Sequence, residues 1–309
     1  MALPQNPPES LRAIAQAADS AGLAELWLWE DCFLSGGVAA AAAALAWTEN
    51  LRVGIGIMPT PLRNVALCAM EVAALSRMSG GRALPGLGHG VQEWMGQVGA
   101  RPASPLTLLR EYAIALRSLL SGETVTTEGR YVRLDGVKLD WPPDQVPPIF
   151  VGATGPKTLA LAGQIGDGTI LTGGTSPAGV SAALGHIAAP VAHETGPVAH
   201  ETGPVAHETG PAGHETGRAA HEAGPAAHEL VLFVPAAFGP DGADRLLDQQ
   251  KRYGIDVPGV SGTPDEIAEG LREFIDAGAT RLILQPTVDE PDPVDFVVRV
   301  AEEIGPLIN

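Results

Sequence analysis

The sequence predicts an eight-stranded α/β barrel, a (β/α)8 TIM barrel. Three observations point to it. Short apolar segments alternate with helical segments along most of the chain, the rhythm of a parallel sheet joined by crossover helices. Gly- and Pro-rich loops follow the apolar segments, where such a barrel builds its site. The length of 309 residues suits one large barrel as a single domain, 1–309. An open doubly wound sheet shares the alternation and is the structural rival.

Pro8 to Ala21 reads as a helix, with Leu11, Ile14, Ala15 and Ala18 at helical spacing and Gly22 after it. Glu25 to Trp29 is a short strand and Gly37 to Trp47 a helix. Leu51 to Ile57 is a buried strand ended by Pro59, Val65 to Met78 a helix, and Arg82 to Leu87 the next strand. Pro105 to Leu120 is a helix, with Ser104 as its cap and Pro105 at its first position. Gly122 to Asp140 breaks the rhythm, since apolar residues around "EGR" and "DG" signal an inserted hairpin.

The rhythm then resumes with strands at Pro148 to Val151, Gly168 to Leu171, Leu230 to Pro235 and Arg281 to Gln285. Helices follow at Pro156 to Gln164, Pro177 to Ile187, Asp241 to Tyr253, Pro264 to Ala277 and Pro293 to Glu303. That makes seven strands. The first of an eight-stranded barrel has only Met1 to Gln5 to occupy, so it is short.

Between the sixth and seventh barrel strands, residues 190–229 repeat a unit close to P-V-A-H-E-T-G. His193, His200, His207, His214, His221 and His228 fall seven apart, each followed by Glu, and His186 is in phase with them. The recurring Gly and Pro exclude a continuous helix despite the heptad period. A flexible inserted loop is the plain reading; metal binding by His and Glu is the sharper one.

The formal charge of −17 argues against a nucleic-acid partner. Two cysteines, Cys32 and Cys68, give no disulfide framework and fit a cytoplasmic protein. No membrane span and no secretory signal is visible. No zinc motif and no nucleophile elbow appears, and nothing beside Cys32 would lower its pKa.

The residues after each strand are the candidates for chemistry. Glu30 and Asp31 form an adjacent acid pair that can share protons or orient a polar ring, or can simply cap a helix. Arg63 can cap an anion or pair with an acid. Gly86, Gly88 and Gly90 permit close backbone approach to a ligand, or serve turns, and His89 between them sits where a ligand would lie. Gly152, Ala153, Thr154 and Gly155 lead into a helix with Pro156 at its first turn, which is a phosphate site or a tight turn. Thr172, Gly173 and Gln285 follow the sixth and last strands.

Four ordered segments carry a resemblance. They are "AGLAELWLWED", "LRVGIGIMPTPLRNVALCAMEVAALSRMSGGRALPGLGHG", "VPPIFVGATGPKTLALAGQIGDGTIL" and "GVSGTPDEIAEGLREFIDAGATRLILQP". Together they resemble the luciferase-like flavin- and deazaflavin-dependent oxidoreductases, with the greatest likeness to the branch of methylene-tetrahydromethanopterin reductase. The resemblance implies a barrel of the bacterial-luciferase type. It implies hydride transfer between the deazaflavin coenzyme F-420 and a small organic substrate.

By the same resemblance, Glu30 contacts the ring, Gly86 to Gly90 and Ala153 to Pro156 line the coenzyme, and a bulge with a non-prolyl cis peptide falls near Gly56 and Ile57. Asp31 stands where the family usually has His. Proton handling is expected of Glu30 or Asp31, with His89 as a second acid/base. The backbone N–H groups of Ala153, Thr154 and Gly155 are expected to take the phosphate. A reduced-FMN-dependent monooxygenase and a degenerate barrel that binds ligand or metal without turnover are the alternatives. The family often forms homodimers.

Overall fold

The computed structural model describes residues 1–189, 227–254 and 259–308. The chain runs α1 (Leu11–Ser20), β1 (Glu25–Leu28), α2 (Gly37–Ala46), β2 (Arg52–Pro59), α3 (Val65–Ser79), β3 (Ala83–Gly88), α4 (Gln92–Gln97) and α5 (Pro105–Leu120). The hairpin β4 (Val125–Glu128) and β5 (Arg133–Val137) follows, then β6 (Phe150–Gly152), α6 (Pro156–Ile165), β7 (Gly168–Leu171) and α7 (Pro177–Ile187). The last part is β8 (Glu229–Phe238), α8 (Gly242–Tyr253), β9 (Val260–Gly262), α9 (Pro264–Asp276), β10 (Arg281–Pro286), α10 (Pro293–Arg299), a π-turn over Val300–Ile304 and α11 (Gly305–Ile308).

The barrel order is β1-β2-β3-β6-β7-β8-β10, with every neighbouring pair parallel. The eighth place is taken by Met1 to Leu3. Ala2 forms a parallel bridge to Leu28, and the Met1 amino group donates to the Leu284 carbonyl at 2.8 Å. The short first strand is thus a single bridge between β1 and β10 rather than a ladder. The inserted hairpin lies where the turn signals put it and pairs antiparallel.

Side chains on a strand alternate between two faces, and here one face fills the barrel. Leu3, Trp27, Leu84, Phe150, Ile170, Val231, Phe233 and Ile283 form the interior cluster. Trp27 is fully buried and meets Phe150 and Phe233 edge-on, at 5.5 and 5.9 Å between centroids. The neighbouring strand must give way. β2 points Gly54 and Gly56 inward; a Cβ on Gly54 would overlap the Trp27 ring, and one on Gly56 would lie 2.7 Å from Phe233. The helices cover the outer faces through a larger shell that includes Ile14, Leu45, Val72, Leu116 and Ile267.

Three features differ from the sequence reading. α4 and β9 were not expected, being six and three residues long. β8 begins at Glu229, which pairs with Gly168, so the end of the expected 190–229 loop belongs to the barrel. His228 is also placed: its Nε2 lies 2.8 Å from Oγ1 of the buried Thr169. His186 lies on α7, and the other repeat histidines are outside the described residues.

Packing of this kind predicts a specific sensitivity. Gly54→Ala should lower unfolding stability by about 1–3 kcal/mol, because neither Trp27 nor the strand backbone can yield. An unchanged urea midpoint would show that the ring is not held as described.

Candidate active site

The C-terminal ends of the parallel strands open onto a cavity of about 680 Å³, within the size range of small-molecule sites. Phe233 and Ile170, the top of the barrel filling, also line it. Most of the candidate residues meet there: Glu30, Asp31, Gly56, Ile57, Gly88, His89, Gly90, Gly152, Ala153, Thr154, Thr172, Gly173 and Gln285 all line the cavity.

β2 carries the bulge. Its register against β3 shifts between Ile55 and Met58, and the Gly56–Ile57 peptide is cis. The Ile57 side chain lines the cavity and is seated on two glycines. A Cβ on Gly88 would come within 2.8 Å of Ile57, and one on Gly152 would do the same. These glycines therefore make room for a side chain. Both glycines also line the cavity, so the room they make for Ile57 stands beside the close approach of a ligand expected at Gly88 and the phosphate loop expected at Gly152.

Gly86 does not line the cavity. It is enclosed by the Ile55 carbonyl and Ile170, which a Cβ would meet at 2.5 and 2.7 Å. Gly90 has a φ of 66°, a left-handed conformation that favours glycine, and it turns the chain from β3 toward α4.

The loop after β6 is only partly as expected. The Ala153 N–H donates to the Ile170 carbonyl at 3.1 Å, so it is committed to the sheet and not free for a phosphate. Gly155 is the N-cap of α6, outside the cavity lining, and its carbonyl accepts from Thr158 and Leu159. Among the described residues, the N–H groups of Thr154, Gly155 and Lys157 have no acceptor, and Pro156 has no N–H to offer. Those free donors at the positive end of α6 suit an anionic group.

The adjacent acids after β1 have opposite environments. Glu30 receives Arg63 through contacts of 2.8 and 3.1 Å, and the Gly37 N–H at the start of α2 at 2.9 Å. Arg63 is held in turn by Glu71 on α3 at 3.2 Å. The open alternatives for Arg63 thus resolve into an acid pair. Asp31 has no cationic partner among the described residues, and burial pushes its carboxyl above the usual carboxylate range. Glu30 is the fixed, compensated carboxylate; Asp31 is the one prone to hold a proton.

His89 Nε2 lies 3.3 Å from Thr158 Oγ1 on α6. Burial pushes its pKa down, which favours the neutral ring, and its Nδ1 is buried without a hydrogen-bond partner. Several cavity residues were not singled out in the sequence. Thr158 and the α8 residues Gln249 and Tyr253 sit on helices that read as ordinary outer helices, and no local signal marks their inward face. Gln249 Oε1 accepts the Val288 N–H at 2.9 Å, tying α8 to the loop after β10.

Comparisons with known proteins agree with this fold. The family model described as luciferase-like monooxygenase matches residues 1–281. A 5,10-methylenetetrahydromethanopterin reductase from Methanolobus tindarius is 34% identical over 188 residues, covering 60% of this chain and 57% of that one. The matched region is little more than half of that relative's length. The corresponding reductase from Archaeoglobus fulgidus is 26% identical over 288 residues, covering 85% and 84%.

Among solved structures, the coenzyme F-420-dependent tetrahydromethanopterin reductase of Methanopyrus kandleri superposes with a TM-score of 0.77 at 18% identity, covering 100% of this chain and 98% of that one. An F-420-dependent secondary alcohol dehydrogenase gives 0.76 at 19%, covering 99% and 96%. The oxygenating constituent of 3,6-diketocamphane monooxygenase from Pseudomonas putida, in complex with FMN, gives 0.69 at 17%, covering 98% and 93%.

The Asp31 environment has a measurable consequence. A carboxyl whose folded pKa is raised loses stability as pH rises from its unfolded value through its folded value. Asp31→Asn should therefore raise the melting temperature relative to the parent at pH 8, with the difference vanishing near pH 3. A melting temperature lowered at pH 8 would show that Asp31 is instead held by a favourable partner.

Proposed function

The chain belongs to the luciferase-like monooxygenase family, and we propose that within it the protein transfers a hydride between coenzyme F-420 and a small organic substrate held in the barrel-mouth cavity. The observation that carries this reading is the Ile57 platform. A branched apolar side chain, lifted by the bulge and seated on Gly88 and Gly152, presents a surface into the cavity suited to one face of a flat ring. The free N–H groups at the start of α6 suit the coenzyme phosphate, Thr154 also lining the cavity. The donor set therefore fits a phosphorylated tricyclic cofactor.

When bound, the deazaflavin supplies two-electron hydride chemistry. The chain's residues supply the rest. Ile57 would support a flat ring, and Glu30, immobilised by Arg63 and the Gly37 N–H, would offer it a fixed acceptor. Asp31 holds and delivers the proton, and the neutral His89 can donate or accept a second hydrogen bond near the substrate. Trp29, Leu34 and Trp94 wall the cavity and reduce access of water.

The FMN-dependent reading is favoured by the family model and by the shared fold of the monooxygenase solved with FMN. Its chemistry needs oxygen, whereas hydride transfer does not. The remaining features complete the proposal. The protein acts in the cytoplasm as one barrel domain bearing the insertion, and its acidic charge leaves nucleic acid outside its partners. It pairs as a homodimer through α3, which turns Leu67, Met70 and Met78 outward at 47%, 60% and 76% exposure.

Anaerobic mixing of the protein with reduced F-420 and a carbonyl substrate should oxidise the coenzyme. Turnover only with reduced FMN and oxygen would overturn the reading. Ketone reduction needs a protonated Asp31, so its rate should fall as pH rises through that group's raised pKa. Asp31→Asn should remove this limb and lower kcat by about 10²–10⁴-fold. Ile57→Ala, which strips apolar surface from the platform, should weaken F-420 binding on the order of tenfold.

A further inference from the structure

Resting on the hydride-transfer reading, we propose that the substrate is a neutral ketone, or its alcohol, with an apolar or aromatic body and no anionic group, and that Gln285 binds its oxygen.

The charge of the cavity carries the first part. The ionisable side chains that line it and bear on substrate charge are Glu30, Asp31 and His89: two acids and a ring kept neutral by burial. Two guanidinium groups near it, Arg63 and Arg245, are already committed. Arg63 is clasped by Glu30 and Glu71, and Arg245 on α8 is clasped by Glu290 at 2.8 Å, with Asp289 and Thr287 beside it. With the α6 N–H groups taken by the coenzyme phosphate, a carboxylate or phosphate on the substrate would leave water to meet Glu30 and Asp31 without a cation of its own in the lining. The walls favour a different molecule. Trp29, Leu34, Val91, Trp94, Tyr253 and Val288 also line the space, an apolar and aromatic lining that rewards a hydrophobic body.

The second part rests on an unmatched polar group. Gln285, at the end of β10, is nine-tenths buried and lines the cavity, and its Oε1 has no hydrogen-bond partner. A buried amide left unpaired is costly, and a ligand that pairs it recovers that cost. Gly173 keeps the place open, since any Cβ there would lie 3.1 Å from Gln285 Oε1. A carboxamide suits both members of an alcohol–ketone couple. Its oxygen accepts from a hydroxyl and, with the amide turned over, its nitrogen donates to a carbonyl. In the reduction, the carbonyl carbon receives a hydride from the reduced coenzyme, and the carbonyl oxygen receives a proton from Asp31. The C=O π bond breaks, C–H and O–H bonds form, and the coenzyme leaves oxidised.

The test uses the full chain, with and without oxidised F-420, and two matched probes. One is benzylacetone; the other is its α-keto acid analogue, in which a carboxylate replaces the methyl group. Quenching of tryptophan fluorescence reports binding, since Trp29 and Trp94 line the cavity. At pH 8, benzylacetone should bind at least about tenfold more tightly than the keto acid. Gln285→Leu should weaken benzylacetone by about fivefold or more, with coenzyme affinity unchanged and the melting temperature not lowered. Asp31→Asn should narrow the gap between the probes.

Equal or tighter binding of the keto acid overturns the proposal, as does binding of neither probe or an unaffected Gln285→Leu variant. The two readings fail separately. Coenzyme binding with the keto acid preferred overturns the substrate class alone. A benzylacetone preference without coenzyme binding overturns the hydride-transfer reading and leaves the charge preference standing.

Discussion

Trp27 sets the terms for the rest of the barrel. Its indole fills the interior against Phe150 and Phe233, and a filled interior is incompressible on the scale of a methyl group. β2, the neighbouring strand, can pass only by presenting Gly54 and Gly56. Immediately beyond, the strand bulges and Ile57 turns into the cavity. Gly88 and Gly152 on β3 and β6 complete the accommodation. The aromatic filling and the apolar platform are therefore one construction, with the barrel core as the floor of the site.

A second consequence concerns charge. Glu30 and Asp31 are neighbours in sequence and opposite in electrostatics. The first is compensated by Arg63 and a helix N-terminus; the second is half-buried without a cation among the described residues and pushed toward its neutral form. Contrasting environments divide the labour of two like groups, one fixed by its partners, the other able to carry a proton. Glu71 contributes from outside the cavity by holding Arg63.

Much of this was legible in the sequence. The strand–helix alternation has a direct physical reading, and the helix start marked by Ser104 and Pro105 lies where capping chemistry puts it. The acid pair, His89 and the loop at Gly152 to Thr154 all reach the cavity because strand ends converge in a barrel. What was not legible is which partner each group meets. A glycine that yields to Ile57 looks the same in sequence as one that yields to a ligand. Whether the Ala153 N–H is free depends on the pairing of β6 with β7. Gln249 and Tyr253 face inward only because α8 leans over the barrel mouth, a tertiary fact with no local signature.

The central claim is that the platform and the α6 N-terminus together form a deazaflavin site. Equilibrium titration of the purified protein with oxidised F-420 and, separately, with FMN, followed by fluorescence, addresses it most directly. The account predicts saturable binding of F-420, tighter than that of FMN. Preference for FMN, or binding of neither, would contradict it.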